Sequence, residues 1–182
     1  MSILVFAENI EGKFSKSAFE VLTYGADLAR QTGDSLFALV TGNVGDDELR
    51  KLSVHGAQKI IHAGESRLAD FSLIAYAKIV DEVAKANNVT VLVMSSTFNG
   101  KTLGARLSAR WKAGMISNAV SIPLTDKGFT VKKPVYSGKG FANFEITSPI
   151  KIITVGINGY HISKNEVEHS VESIQPQLTD SD

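Results

Sequence analysis

Apolar residues fall along this chain in two rhythms. Ile3–Ala7, Ser35–Val40, Lys59–Ala63 and Val91–Met94 are short, mostly unbroken apolar runs, the pattern of parallel strands buried on both faces. Between them the spacing turns helical. Ala18, Val21, Leu22, Gly25, Leu28 and Ala29 share one helical face, Ser17 with Glu20 predicts a capping box ahead of it, and Gly33 a stop. Asp46 and Asp47 predict the cap of a short helix that carries Leu49 and Leu52 and ends near Gly56. A further helix is expected from Ser72 to about Asn87, with Leu73, Tyr76, Ala77, Val80, Val83 and Ala84 inward. Leu103, Leu107 and Trp111 recur four apart and predict one more, inward along that stripe, closed by Gly114. A strand from Asn118 to Leu124 is expected next, ending at Pro123. Strand and helix thus alternate, which predicts a doubly wound, mostly parallel sheet with helices on both faces and Ile3–Ala7 central.

After Leu124 the period changes. Phe129–Tyr136 alternates apolar with polar positions, and Phe141–Ile146 and Ile150–Ile157 follow without room for helices. With Ser137, Gly138 and Gly140 as turn residues, these three runs predict an antiparallel meander appended to the parallel sheet. From Asn158 the sequence is polar and weakly patterned. Residues 1–157 therefore read as one α/β domain and residues 158–182 as a polar tail or linker.

Composition narrows the function more by exclusion than by suggestion. A chain of 182 residues suffices for one sizeable core and is short for two. Nineteen basic and nineteen acidic residues cancel, so nothing argues for nucleic acid or an anionic membrane surface. The absence of cysteine removes disulfides, thiolate zinc sites and cysteine nucleophiles together. His55, His62, His161 and His169 have no metal-ligand spacing. No run approaches the roughly 20 apolar residues of a membrane span, and the first residues, MSILVFAEN, resemble no signal peptide. A cytoplasmic protein without membrane insertion is expected.

One constellation has a stated chemistry. In the loop at Ser95–Arg106 the hydroxyls, Gly100 and Gly104 stand where a helix begins, and free N–H groups there favour anions. Ser96, Gly100, Lys101 and Gly104 are the candidates. Lys101 sits against the helix dipole unless an anion or acidic group lies near. Gly100, Gly104 and Gly114 resemble the glycine pattern of universal-stress-type nucleotide binders, with two departures: the first glycine spacing is one residue too long, and Met115 replaces a phosphate-binding hydroxyl. The competing reading is a tight turn and a solvated helix start. Arg106 and Arg110, four apart, are expected to face water. Ser95 and Ser96 lack a G-x-S-x-G elbow and any partner base, so a hydrolase reading has no support.

The segments HGAQKIIHA, LVMSSTFNGKTLGARLSARWKAGMISNAV and KKPVYSGKGFANFEITSPIKIITV, in that order, resemble the amino-terminal domain of the alpha subunit of electron transfer flavoprotein. The resemblance runs from ILVFAE to about Tyr160, and the Lys-Pro-Val-Tyr-Ser-Gly segment is its most specific part. Departures are Asn118 for a usual Asp, Lys133 for a usual Arg and Gly156 for a usual Arg. The resemblance implies a fold of the adenine nucleotide alpha hydrolase-like kind and an αβ heterodimer. That heterodimer is an electron carrier rather than an enzyme, passing electrons from dehydrogenases through FAD to a quinone oxidoreductase or similar acceptor. It implies that FAD is held mainly by a carboxyl-terminal domain absent from this chain, with no cofactor expected here. The amino-terminal domain would then be a scaffold that pairs with the beta subunit. Phe129, Lys132, Lys133, Tyr136, Phe141 and Phe144 are the candidate partner interface, with strand alternation leaving open which aromatics face outward. The alternative is a free-standing AMP- or ATP-binding protein of the same α/β superfamily.

Overall fold

A computed structural model of the chain describes residues 2–126 and 128–179. Its frame is a parallel sheet whose apolar runs become strands buried on both sides. In chain order the elements are β1 (Ser2–Phe6), the short pair β2 (Asn9–Ile10) and β3 (Lys13–Phe14), α1 (Lys16–Thr32), β4 (Ser35–Thr41), α2 (Asp46–Ser53), β5 (Lys59–Ala63), α3 (Leu73–Ala86), β6 (Val89–Ser95), α4 (Phe98–Trp111), β7 (Gly114–Ala119), β8 (Thr130–Val135), β9 (Gly140–Glu145), β10 (Lys151–Val155) and β11 (Ser170–Ser173). Among the described residues the main sheet has seven strands, in the order β11-β5-β4-β1-β6-β10-β7. All of its pairings are parallel.

Successive residues of a strand point to opposite faces, and β1 shows what that does here. Ile3 and Val5 enter a core with Val21, Leu22 and Leu28 of α1 and Leu49 and Leu52 of α2. Leu4 and Phe6 enter a second core with Ile79 and Val80 of α3 and Leu103 and Leu107 of α4. Each face thus has its own pair of helices, which is why the strands are apolar throughout rather than alternating. The doubly wound sheet expected from the sequence is present.

Several local expectations are corrected. α1 begins at Lys16 with Ser15 as its N-cap and no side-chain cap bond, so Ser17 and Glu20 do not form a capping box. Glu20 instead is buried and accepts the Asn158 N–H at 2.9 Å. Asp46 and Asp47 lie inside the first turn of α2, and Gly45 occupies the cap. α4 ends on Lys112, which takes the left-handed conformation at φ 51°, not on Gly114. Gly114 opens β7, so that strand runs Gly114–Ala119 rather than Asn118–Leu124.

The largest difference concerns the third run of the expected meander. β8 and β9 do form an antiparallel hairpin, but β10 leaves it and inserts between β6 and β7, parallel to both. The reason is in its composition. Ile152, Ile153 and Val155 are all buried, and a strand with both faces apolar finds cover only at the centre of a helix-covered sheet. The polar segment after Asn158 is also placed rather than frayed: β11 pairs with β5 at the sheet edge, from Ser170 opposite Lys59 to Ser173 opposite His62.

Candidate functional site

Two regions flagged by the sequence are decided by geometry, the loop after β6 and the β8–β9 hairpin. The strand order reverses direction between β1 and β6, and ligands of open α/β sheets sit at the carboxyl ends of strands at such a point. Here that crevice is about 250 Å³, lined by Glu8, Asn9, Ile10, Ser15, Ser17, Thr97, Phe98 and Asn99. Thr97 is the N-cap of α4, and its Oγ1 accepts the Gly100 N–H at 2.9 Å while its hydroxyl donates to Glu8 Oε2 at 2.7 Å. Burial pushes the Glu8 carboxyl above its ordinary range, and the Thr97 hydroxyl only partly opposes that. The mouth of α4 is thus capped by its own hydroxyl, with a carboxylate beside it.

The four loop candidates take separate positions. Ser96 donates its N–H to the Val155 carbonyl at 2.8 Å, and its Oγ accepts from Thr154 at 3.2 Å. At Gly100 a Cβ would collide with the Ser95 carbonyl oxygen, so glycine there lets β6 turn tightly into α4. The Lys101 side of the helix is exposed, and its N–H goes to the Thr97 carbonyl. Gly104 is buried on the sheet side, where a Cβ would stand 2.8 Å from Met115 Cε and 3.2 Å from Met94 Cε. Its smallness serves helix–sheet contact. Ser95 is buried and donates to the Ser17 carbonyl. His55 and His62 each bond a backbone carbonyl at 2.8 Å. No group of three or more metal-capable side chains gathers among the described residues, and no helix there is long and apolar enough to cross a membrane.

The hairpin is the opposite case. Register pairs Val131 with Phe144 and Pro134 with Phe141. Val131, Lys133 and Phe144 therefore share one face, and Lys132, Pro134 and Phe141 the other. Val131 is fully buried, which fixes the first face as the inward one. Phe129 is half-buried and packs against the core, with the Lys151 ammonium 5.2 Å from its ring centroid. Phe141 is 60% exposed, Phe144 41% and Tyr136, in the turn, 84%. Lys132 Nζ lies 4.5 Å over the Phe141 ring and Lys133 Nζ 5.8 Å over Phe144, both within reach of a cation–π attraction. Alternation with register thus assigns what alternation alone left open: Phe141 points out, Phe144 sits on the inner face at its rim, and Phe129 belongs to the core.

One feature escaped the sequence reading. Asp81 on α3 is buried and accepts the Trp111 Nε1–H at 2.7 Å, with Lys85 at 2.8 Å and Arg110 at 2.9 Å. Burial pushes its carboxyl up, but the bonds from Lys85 and Trp111 and the Arg110 charge outweigh that and hold it below the usual carboxylate range. Arg110, expected to face water, instead ties α4 to α3. The i,i+4 spacing of Asp81 and Lys85 was the available signal; the reach of Trp111 and Arg110 from another helix left none.

Comparison with known proteins decides the family. An electron transfer flavoprotein domain matches residues 3–175. The chain belongs to the electron transfer flavoprotein family. It is 27% identical over 180 residues to the electron transfer flavoprotein subunit alpha of Bacillus subtilis, covering 98% of this chain and 55% of that one. With the subunit alpha of Clostridium acetobutylicum it shares 30% over 138 residues, 75% of this chain and 41% of that one. An acryloyl-CoA reductase electron transfer subunit beta of Anaerotignum propionicum is 29% identical over 122 residues, 67% and 33% respectively. The chain spans about half the length of the alpha subunits it matches. Gly156 and Asn118 meet in space: a Cβ at Gly156 would stand 2.7 Å from Asn118 Oδ1. A neutral pair therefore occupies the carboxyl ends of β10 and β7.

Proposed function

We propose that this chain is the scaffold and heterodimerisation domain of an electron transfer flavoprotein alpha subunit, and that the β8–β9 hairpin is its surface for the beta subunit. The observation that carries the reading is exposed Phe141 under Lys132 on the outward face of the hairpin, with exposed Tyr136 in its turn. Aromatic side chains are frequent anchors of protein interfaces. In the complete protein the role would be carriage of electrons from dehydrogenases, through FAD, to a quinone-linked or similar acceptor.

Two features argue against a flavin site in this part of the chain. The switch-point crevice is about 250 Å³, and the Glu8 carboxylate lines it beside the start of α4, where it would repel an anion. The same carboxylate and the Thr97 cap disfavour the nucleotide-binder alternative, and with it anion binding by Ser96, Gly100, Lys101 and Gly104. We therefore favour a flavin site outside residues 1–157.

The test is calorimetry of the chain with a cognate beta subunit, alongside a titration with AMP. Binding to the beta subunit that Phe141→Ala weakens about tenfold or more, with no heat from sub-millimolar AMP, supports the reading. A folded chain that ignores the beta subunit but binds AMP at micromolar concentration would replace it with the nucleotide-binder alternative.

A further inference from the structure

The segment that leaves β10 is held by a line of polar side chains on α1. Lys16, Glu20, Thr23 and Asp27 lie four, three and four residues apart, one stripe of a helix. Each of them holds a residue of the exit segment. Lys16 Nζ donates to Asn158 Oδ1 at 2.9 Å, and Glu20 accepts the Asn158 N–H at 2.9 Å. Thr23 Oγ1 accepts the Ser163 N–H at 3.3 Å. Asp27 accepts the Tyr160 hydroxyl at 2.8 Å and lies 3.6 Å from His161 Nε2. Beyond the stripe, the Asn165 and Val167 N–H groups bond the Val54 and Ser53 carbonyls at the carboxyl end of α2.

The rest of the segment borders open surface. Surface pockets of about 630, 350 and 370 Å³ are each walled partly by residues 165–178, and every residue of β11 is exposed. Apart from Tyr160, edge-on to Tyr24 at 5.1 Å, and Ile174, the segment is fixed mainly by polar bonds and opens at lower cost than the strands beside it. We propose that residues 158–174 form a releasable strap: it detaches from α1, α2 and the β5 edge as one unit while the sheet stays folded, and the α1 stripe is its catch. Release uncovers the α1 stripe and the hydrogen-bonding edge of β5. This goes beyond the scaffold reading and does not depend on any partner.

Native-state hydrogen exchange of the whole chain tests it. The Asn158, Ser163, Asn165, Val167 and Ile174 amides are expected to share one protection level, about 100-fold or more below that of Val5 and Val93. The decisive variants are Tyr160→Phe and Asp27→Ala, which touch none of Asn165, Val167 and Ile174. Both are expected to speed exchange at those three amides about tenfold, with cleavage after Lys164 by a lysine-specific protease rising in parallel. Arg30→Ala, which removes the other ion-pair partner of Asp27, is expected to leave the strap unchanged. Strap amides that exchange only with the core, or variants whose effect stays at residues 160 and 161, would overturn the proposal.

Discussion

The loop after β6 and the β8–β9 hairpin are built from similar ingredients, a few glycines, hydroxyls and a lysine or two, yet they end in opposite states. In the loop the polar groups that invited an anion are bound internally: Gly100 N–H to Thr97, Thr97 to Glu8, Ser96 to Val155 and Thr154. In the hairpin the polar groups pair strand to strand and the apolar ones are left over, with Tyr136 and Phe141 well exposed. A glycine-rich motif therefore says little until the partners of its N–H groups are known. Leftover large apolar surface is the better sign of an interface.

The sharpest way to break the comparison is Gly100→Ala. A Cβ there meets the Ser95 backbone, which cannot swing aside as a side chain would. We expect a loss of about 3 kcal/mol or more in denaturant unfolding. A near-neutral result would mean that the turn has slack and the loop is free to receive a ligand after all.

Next comes the brace behind that loop. Asp81→Ala strips Trp111 Nε1 of its acceptor and removes the link from Arg110, for an expected cost of about 3 kcal/mol. Because the folded Asp81 carboxyl titrates below its unfolded value of about 3.9, its contribution is fully present above that value. It is lost as pH falls through the lower folded value. Asp81→Asn should therefore flatten the acid limb of a stability–pH curve, and an unchanged limb would assign acid unfolding to other carboxyls. Trp111 is half-buried and tied by its N–H, so Trp111→Phe should already lose part of what Trp111→Ala loses.

Thr97→Ala removes the α4 cap and the hydroxyl that donates to the Glu8 carboxylate, for about 1–2 kcal/mol. Weak AMP binding gained by Thr97→Ala combined with Glu8→Gln would show that these two side chains alone exclude a nucleotide.

The smallest stability effect is expected where the functional effect is greatest. Phe141→Ala and Tyr136→Ala should change unfolding by no more than about 0.5 kcal/mol, as exposed substitutions do, while weakening beta-subunit binding. If Phe141→Ala instead unfolds the chain, the hairpin is a part of the core and the contrast between the two regions fails.

The sequence by itself determined the two-faced parallel sheet, because strands without alternation and helices with one apolar stripe admit few other arrangements. β5 was legible to the residue as Lys59–Ala63, as was Gly33 as the stop of α1, and the α3 helix was legible to within a residue at each end. The family was legible too, since the resemblance rests on local segments. Only the tertiary structure decided what each site residue does. Ile150–Ile157 looked like a third hairpin strand because strand order is a non-local choice, and both faces of β10 are satisfied only between β6 and β7. Gly104 looked like a phosphate glycine because smallness is the same signal whether a phosphate or Met115 comes close. Glu20 looked like half of a capping box, yet its partner Asn158 lies 138 residues away. Periodicity records which face of an element is covered; it carries no information about what covers it, and at this loop, this strand and this carboxylate the covering group came from elsewhere in the chain.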